Sequence, residues 1–549
     1  MINKIGVDNN NSGINSTFVR KKNEENPSFK GLGALALVGI QKCEQIPMVN
    51  VAVIDMLSAI LPRTAVESMT NWFAGFEAFR RESSGLFVNC IIPGFITLGI
   101  AKLLNPSLMP KGANMSRCWA DKELINKFAE YYTDASSSNK VKESLENIIR
   151  NIEGYEGSEL VKFNKIGDAG IKKYAEQLYV ISQRDISNKQ MRKEVEKISK
   201  EIIEKTDVAE HIKVGGVDAN SVHSLMEDSV KFFREYGRVS DKLSIEEFAE
   251  KSKKLVNRKS LIGLGIVLPL AMSMQYINRW ITGKMSGTKG APIYEDYAKG
   301  KENIEENPKA KEGLLTQKII SIASMIGVSL LSMMKMPSMK MLEFKGVFPT
   351  MDQARIISTA TFSSRMAAAD DKNELVEATI RDIATFSSLY FLGDYASKLA
   401  ATILQNKAGI KLLNDTKPID KNASAIKKFW HWVKDVNVKS SEEVISKTKE
   451  MLKGATPTEE QALAIEKELK KARNLRATCQ ATNIGVSLIL LGLVIPIFTR
   501  RHTKKKHEEA LKLAEQNNIS SKDTTKEQAV TPLNLKYSDL TTGFKAEEK

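Results

Sequence analysis

The sequence predicts an all-α protein: a multi-pass bundle of transmembrane helices with long helical stalks and further helical regions outside the bilayer. Three observations lead there. Several uncharged apolar runs approach or reach the roughly 20 residues that cross a hydrocarbon core. The polar half of the chain is rich in Lys and Glu, with apolar residues at helical spacing. Sustained alternation of β-branched residues, the mark of strands, is almost missing.

Residues 1–30 are Asn-rich and too poor in apolar side chains to fold, so they read as a disordered tail. The apolar run after them begins late, is short and lacks a small-residue cleavage pattern, which makes it a poor signal peptide. Gly31, Gly33 and Ala36 reproduce the spacing of a dinucleotide fingerprint. The preceding NEENPSFK cannot be the buried strand that motif needs, and no cofactor is expected.

An N-terminal membrane region covers 31–104, with spans near 46–61 and 86–102. The first, IPMVNVAVIDMLSAIL, carries Asn50 and Asp55, which leaves its crossing open. The second opens on the uncharged LFVNCIIPGFITLGIA. From the first run to the second extends the densest polar cluster beside a membrane segment, including Glu67 and Glu77. Arginine at a bilayer edge grips phosphate bidentately, and a carboxylate beside it serves as a base. Asp55, Arg63, Arg80, Arg81 and Glu82 are therefore the candidate catalytic residues of a lipid-headgroup site. A loop with an Arg anchor and local ion pairs is the plainer reading, and the preferred one.

Residues 105–258 form a polar helical domain. MRKEVEKISKEIIEK sets Met191, Val195, Ile198 and Ile202 on one helical face, too briefly for a coiled coil. His223 and Glu227 share a face, with Asp207, Glu210 and His211 upstream, but standard ligand spacing is missing and no metal is expected. Ser244 and Glu247 make a capping box, opening a helix with no clear stop before the next apolar run. That pattern predicts a stalk, kinked at Pro269.

A central membrane region, 259–404, has spans near 261–280, 319–335 and 384–404. The last contains FSSLYFLGDYASKLAATIL, in which Asp394 and Lys398 stand one turn apart on the side of Ser387 and Tyr390. They are expected to satisfy each other as an intramembrane charge pair. A soluble amphipathic helix would show the same pattern. In the polar region 405–480, KKFWHWVK mixes rings and lysines as a headgroup-layer helix does; packing of its tryptophans on a soluble core fits equally well. Thr456, Pro457 and Glu459 open a second stalk, from 457 into the last span, 481–499. RRHTKKKH is an abrupt basic stop on the cytoplasmic side, and a basic then disordered tail fills 500–549. A faint internal echo places KGA after a proline-interrupted run twice, at Lys111 after Pro93 and at Lys289 after Pro269; chance would also produce it.

The net charge of +15 suits a partner with a negative surface. Basic residues are not interleaved with aromatics outside FWHW, and no nucleic-acid module is recognisable. The expected partners are therefore the lipid bilayer, through anionic lipid headgroups, and an unidentified protein, not nucleic acid. Cys43, Cys90, Cys118 and Cys479 form no CxxC, and HExxH, GxSxG and Walker A sequences are missing. With catalytic motifs missing and polar helices dominant, a membrane-anchored scaffold or interaction protein is the leading function. A transporter or channel using intramembrane charges is the alternative, and a membrane-embedded lipid-acting enzyme the second. The expected location is the cytoplasmic membrane, crossed six times with both ends inside.

Overall fold

The computed structural model describes residues 47–499, except 71, 157–158, 163, 207, 287–312, 334–338, 416–418, 421, 442, 446–447 and 449–458, with a few positions between 501 and 512. The Asn-rich tail, the glycine motif, Cys43, Lys289, the cap at Thr456 and Pro457, and most of RRHTKKKH lie outside the described residues.

Helix α1 (Pro47–Asp55) runs through a π-helical turn (Met56–Ile60) into α2 (Leu61–Thr70). Helix α3 (Trp72–Leu86) folds back on α2 as a tight hairpin, passes a second π-turn (Phe87–Ile91) and continues as α4 (Ile92–Leu108). The hairpin closes tightly at Gly75, where any Cβ would overlap Ser68. Pro93 directly follows the second π-turn, at the start of α4.

The polar domain contains α5 (Lys122–Thr133), α6 (Lys140–Arg150), α7 (Gly167–Gln183), α8 (Asn188–Thr206) and α9 (Val222–Gly237). It also contains a four-stranded antiparallel sheet in the order β2-β1-β3-β4, from β1 (Ile152–Glu156), β2 (Glu159–Lys162), β3 (Glu210–Val214) and β4 (Val217–Ser221). These strands depart from the near absence of strand signals in the sequence. The β3–β4 hairpin turns on Gly215 and Gly216, both at positive φ (53° and 81°), the pair a two-residue turn with left-handed residues demands.

Helix α10 (Ile245–Ser286) is 42 residues long, about 63 Å at 1.5 Å per residue. Its start does not project freely as a stalk. Phe248, Leu255 and Val256 are buried in the polar domain's core, where Phe248 meets the Phe232 ring at 5.3 Å. Further on, α10 packs along α4, so one continuous helix ties the polar domain to the apolar bundle.

The rest of the bundle comprises α11 (Leu314–Met333), α12 (Met351–Ala367), α13 (Lys372–Ser387), a third π-turn (Ser388–Leu392) and α14 (Gly393–Ala408). A small two-stranded sheet, β5 (Leu413–Asp415) with β6 (Val436–Val438), brackets α15 (Ala425–Asp435). Helix α16 (Glu459–Ser487) packs along α14 and ends in a fourth π-turn (Leu488–Val494), after which the helix continues to Thr499.

Among the described residues, five helices are long and apolar enough to cross a membrane: Met48–Met69, Trp72–Leu108, Ile245–Met285, Leu314–Met333 and Ile465–Thr499. The run at 384–404 is not among them. Asp394 and Lys398 feel each other's charge, but no direct ion pair between them is found among the described residues. Lys398 Nζ donates to the Val433 carbonyl at 3.0 Å, which docks α15 on α14, while Asp394 Oδ1 accepts from Asn483 Nδ2 at 3.5 Å. Both groups find closer partners on neighbouring elements than on their own helix.

Candidate functional site

The site is assembled from two helical hairpins built alike. In α3, Glu77 and Arg81 stand one turn apart on the inner face, each 4% exposed, while Trp72, Phe76 and Phe79 point outward. In α13, Glu377 and Arg381 repeat this at 5% exposure each, while Val376 and Ile380 point outward. The sequence repeats as well: Glu77-Ala78 and Arg81-Glu82 correspond to Glu377-Ala378 and Arg381-Asp382 at a constant offset. Helical spacing puts each set on one stripe.

The contacts repeat atom for atom. Arg81 Nη1 lies 3.8 Å from Glu77 Oε1, and Arg381 Nη1 lies 3.7 Å from Glu377 Oε1. Arg81 Nε lies 3.6 Å from Glu82 Oε1, and Arg381 Nε lies 3.2 Å from Asp382 Oδ1. The first helix of each hairpin adds another arginine. Arg63 of α2 meets Glu82 at 3.2 Å, and Arg365 of α12 meets Asp382 at 2.7 Å. The two units join where Arg365 Nη2 reaches across to Glu82 Oε2 at 3.5 Å. Thr361 of α12 also donates to Asn89 Oδ1 of the second π-turn at 2.8 Å.

Between the units lies a cavity with about 50 Å³ of space open to water-sized molecules. Its charged walls are Asp55, Glu67, Glu82 and Asp382 against Arg63, Arg365 and Arg381. The π-turns cluster around it. Ala59 and Asn89 come from the first and second and Leu491 from the fourth, while Thr385 lies in α13, before the third. Gly492 lets the fourth π-turn close on the first, since a Cβ there would stand 3.0 Å from the Ser58 carbonyl. A π-turn breaks the regular helical ladder and recurs at functional sites. Buried wall atoms without a hydrogen bond among the described residues include Arg365 Nε and Asp382 Oδ2.

Of the residues singled out in the sequence, the fold brings Asp55, Arg63 and Glu82 to this cavity. Arg81 backs Glu82 without lining the space. Arg80 leaves it altogether, donating to Asn278 Oδ1 at 2.9 Å and Thr282 Oγ1 at 2.8 Å on α10. Asp394 and Lys398 lie elsewhere. Glu227 pairs with Arg192 at 3.3 Å; Asp207 and the His211 side chain fall outside the described residues. Arg365, Glu377, Arg381 and Asp382 complete the site although sequence reasoning passed over them, and the repeated Glu-Ala-x-x-Arg-acid pattern is the signal that marks three of the four.

A separate buried polar cluster lies in the polar domain. Asp228 of α9 accepts from the Trp119 N–H at 2.9 Å, and burial pushes its carboxyl up to about 7. Lys259 of α10 donates to the Cys118 carbonyl at 2.6 Å and stands 4.1 Å from the Trp119 ring. This cluster is fully packed and fixes the α10 junction.

Comparison with protein-family models, curated proteins and solved structures finds no match to this chain.

Proposed function

We propose that the chain is an integral multi-pass protein of the cytoplasmic membrane that binds a small polar solute inside its helix bundle and conducts it across, as a transporter or channel. One observation carries this reading: π-turns of three helices bring Ala59, Asn89 and Leu491 to one charged cavity. Each turn lets a helix bend and frees backbone polar groups beside a ligand. Sites of this kind lie where two similar units of a transporter meet.

The polarity of the bundle supports the membrane setting. Met69, Trp72, Leu103, Leu315 and Leu331 are between 73% and 87% exposed, while the ion pairs are turned inward. Water would favour the reverse, and hydrocarbon favours this arrangement. The positions of Arg80 and Arg81 speak against lipid chemistry at Asp55, because neither arginine lines the cavity. The scaffold reading keeps support from the polar domain, whose separate core is large enough to present a stable surface to a partner.

The test is solute passage in proteoliposomes. Vesicles are shrunk by an osmotic step of glycine, methylammonium chloride or sodium phosphate, and reswelling is followed by light scattering. The transport reading expects faster reswelling than in protein-free vesicles for at least one solute, and loss of the effect in Glu82→Gln. Equal rates for all three solutes would favour the scaffold.

A further inference from the structure

We infer that α15 is a membrane-interface anchor: its exposed apolar stripe enters the headgroup layer and its lysines bind anionic phospholipid headgroups. The described contacts that hold this helix come from its second half. Val433 is buried and its carbonyl accepts from Lys398. The Trp432 ring lies 6.3 Å from the Tyr395 ring, and Trp432 Nε1 donates to Thr402 Oγ1 at 3.4 Å. Towards the start of the helix, Ile426, Phe429 and Trp430 are 72%, 57% and 51% exposed. By helical spacing they extend one stripe outward from Val433. Lys427 and Lys434 lie along one edge of that stripe and Lys428 lies behind it, all exposed, against a single acid in the helix, Asp435. The Lys434 ammonium stands 5.6 Å from the Trp430 ring, and Phe429 and Trp430 meet edge to face at 5.9 Å. Rings edged with ammonium groups suit a layer that is apolar on one side and negatively charged on the other.

The height of α15 along the bundle names the occupant. Helix α14, on which it rests, runs against α16. Ser397, next to the lysine that holds α15, donates to the Cys479 carbonyl at 2.8 Å. The following residue, Gln480, donates through Nε2 to Asn50 Oδ1 of α1 at 2.6 Å. Both contacts fall at one edge of the apolar layer. The uncharged run of α16 begins at Ala481, after the charged KELKKARNLR, and the apolar run that contains α1 begins at Ile46. Helix α15 is thus fixed at the level where headgroups lie. An acidic protein face would match the same lysines, but this height favours lipid. Anchoring of this kind needs the membrane setting and not the passage of a solute, so it stands apart from the cavity.

Ile426→Cys in the full chain, labelled with bimane and placed in phosphatidylcholine nanodiscs, reads the depth of α15, with wild type treated alike as background. Phosphatidylcholine spin-labelled at the top of its acyl chain is expected to quench the dye more than phosphatidylcholine labelled at the chain end. Aqueous iodide is expected to quench it less than at Lys172→Cys, an exposed site on α7. A trace of top-labelled phosphatidylglycerol should quench about fivefold more than the same trace of top-labelled phosphatidylcholine, the preference one lysine confers near an anionic surface. Lys427→Gln combined with Lys428→Gln and Lys434→Gln should bring the two lipids to equality while the dye stays at its depth. Equal quenching by the two lipids with the lysines intact would overturn the anionic preference. Iodide quenching as strong as at Lys172, with none by lipid, would overturn the anchor and leave the face to an acidic protein. Leu331→Cys, on the exposed side of α11, separates the causes. Lipid quenching there with none at Ile426→Cys removes the anchor alone, and quenching at neither removes the membrane setting beneath it.

Discussion

Arg365 Nη1 lies 2.7 Å from Asp382 Oδ1, joining two side chains that are 6% and 1% exposed. The same guanidinium reaches Glu82 on the other hairpin. Truncating it leaves two inward-facing acids short of a partner, and a broken buried pair typically costs about 3–5 kcal/mol. Arg365→Ala is therefore expected to unfold at markedly lower denaturant in mixed micelles. Arg365→Ala combined with Asp382→Ala should be less destabilised than the sum of the single changes, by about 1 kcal/mol or more. Strict additivity would mean that the two side chains do not interact.

Asp394 and Lys398 are expected to behave independently. Asp394 is on the exposed side of α14, and its one described bond is the long contact to Asn483. Asp394→Asn preserves that acceptor and should change stability by no more than about 0.5 kcal/mol. Lys398 is 7% exposed and holds the Val433 carbonyl. Lys398→Met keeps the volume but orphans that carbonyl, which should cost about 1–3 kcal/mol. Unfolding titrations of the two single variants and the double variant check this. Strong coupling between the positions would restore the ion pair that the sequence suggests.

The legible and the hidden features divide by range. Apolar runs such as 261–280 and 481–499 declare themselves because length and period are local properties. Asp55 and Glu82 stand out because charges beside apolar runs are conspicuous wherever they fall. The four-stranded sheet stays hidden because its strands are four or five residues long and held by partners far away, as Ile152 is by Val214. Its one local trace is Gly215-Gly216. The repeated acid–arginine unit at 77–82 and 377–382 is written plainly in the chain. What no local pattern conveys is that the two copies meet, since that depends on how α12 packs across the second π-turn. The Asp394–Lys398 pairing fails for the same reason: helical spacing makes it feasible, and closer partners on α15 and α16 remove it.

Gly94 and Gly99 are two glycines of one helix with opposite expectations. A Cβ on Gly94 would overlap the Val347 carbonyl, a backbone atom unable to move aside without shifting the loop before α12. Gly94→Ala should cost about 1–3 kcal/mol through overpacking. At Gly99 an added Cβ meets nothing within 4 Å. Gly99→Ala should instead gain about 0.5–1 kcal/mol by lowering the freedom of the unfolded chain. Thermal unfolding of the two variants should move in opposite directions, and a matched loss would contradict the close approach of α4 to the loop.

The polar domain should carry a pH dependence set by Asp228. Its carboxyl is pushed up to about 7 from an ordinary 3.8, chiefly by burial, with the like charge of Glu227 adding to the effect and the Trp119 N–H opposing it. The folded domain therefore holds a proton that the unfolded chain has released, across the window between those two values. Stability falls wherever the folded state binds more protons than the unfolded one. Urea midpoints should thus decline as pH rises from about 4 to about 7, then level off above it. Fluorescence of Trp119, in a chain whose other four tryptophans are replaced by Phe, follows the transition locally. Asp228→Asn keeps an acceptor for the Trp119 N–H and cannot ionise, so its midpoint should lose the contribution of this group to the slope. A wild-type midpoint that shows the same slope as Asp228→Asn over this window would mean that Asp228 ionises freely in the folded domain.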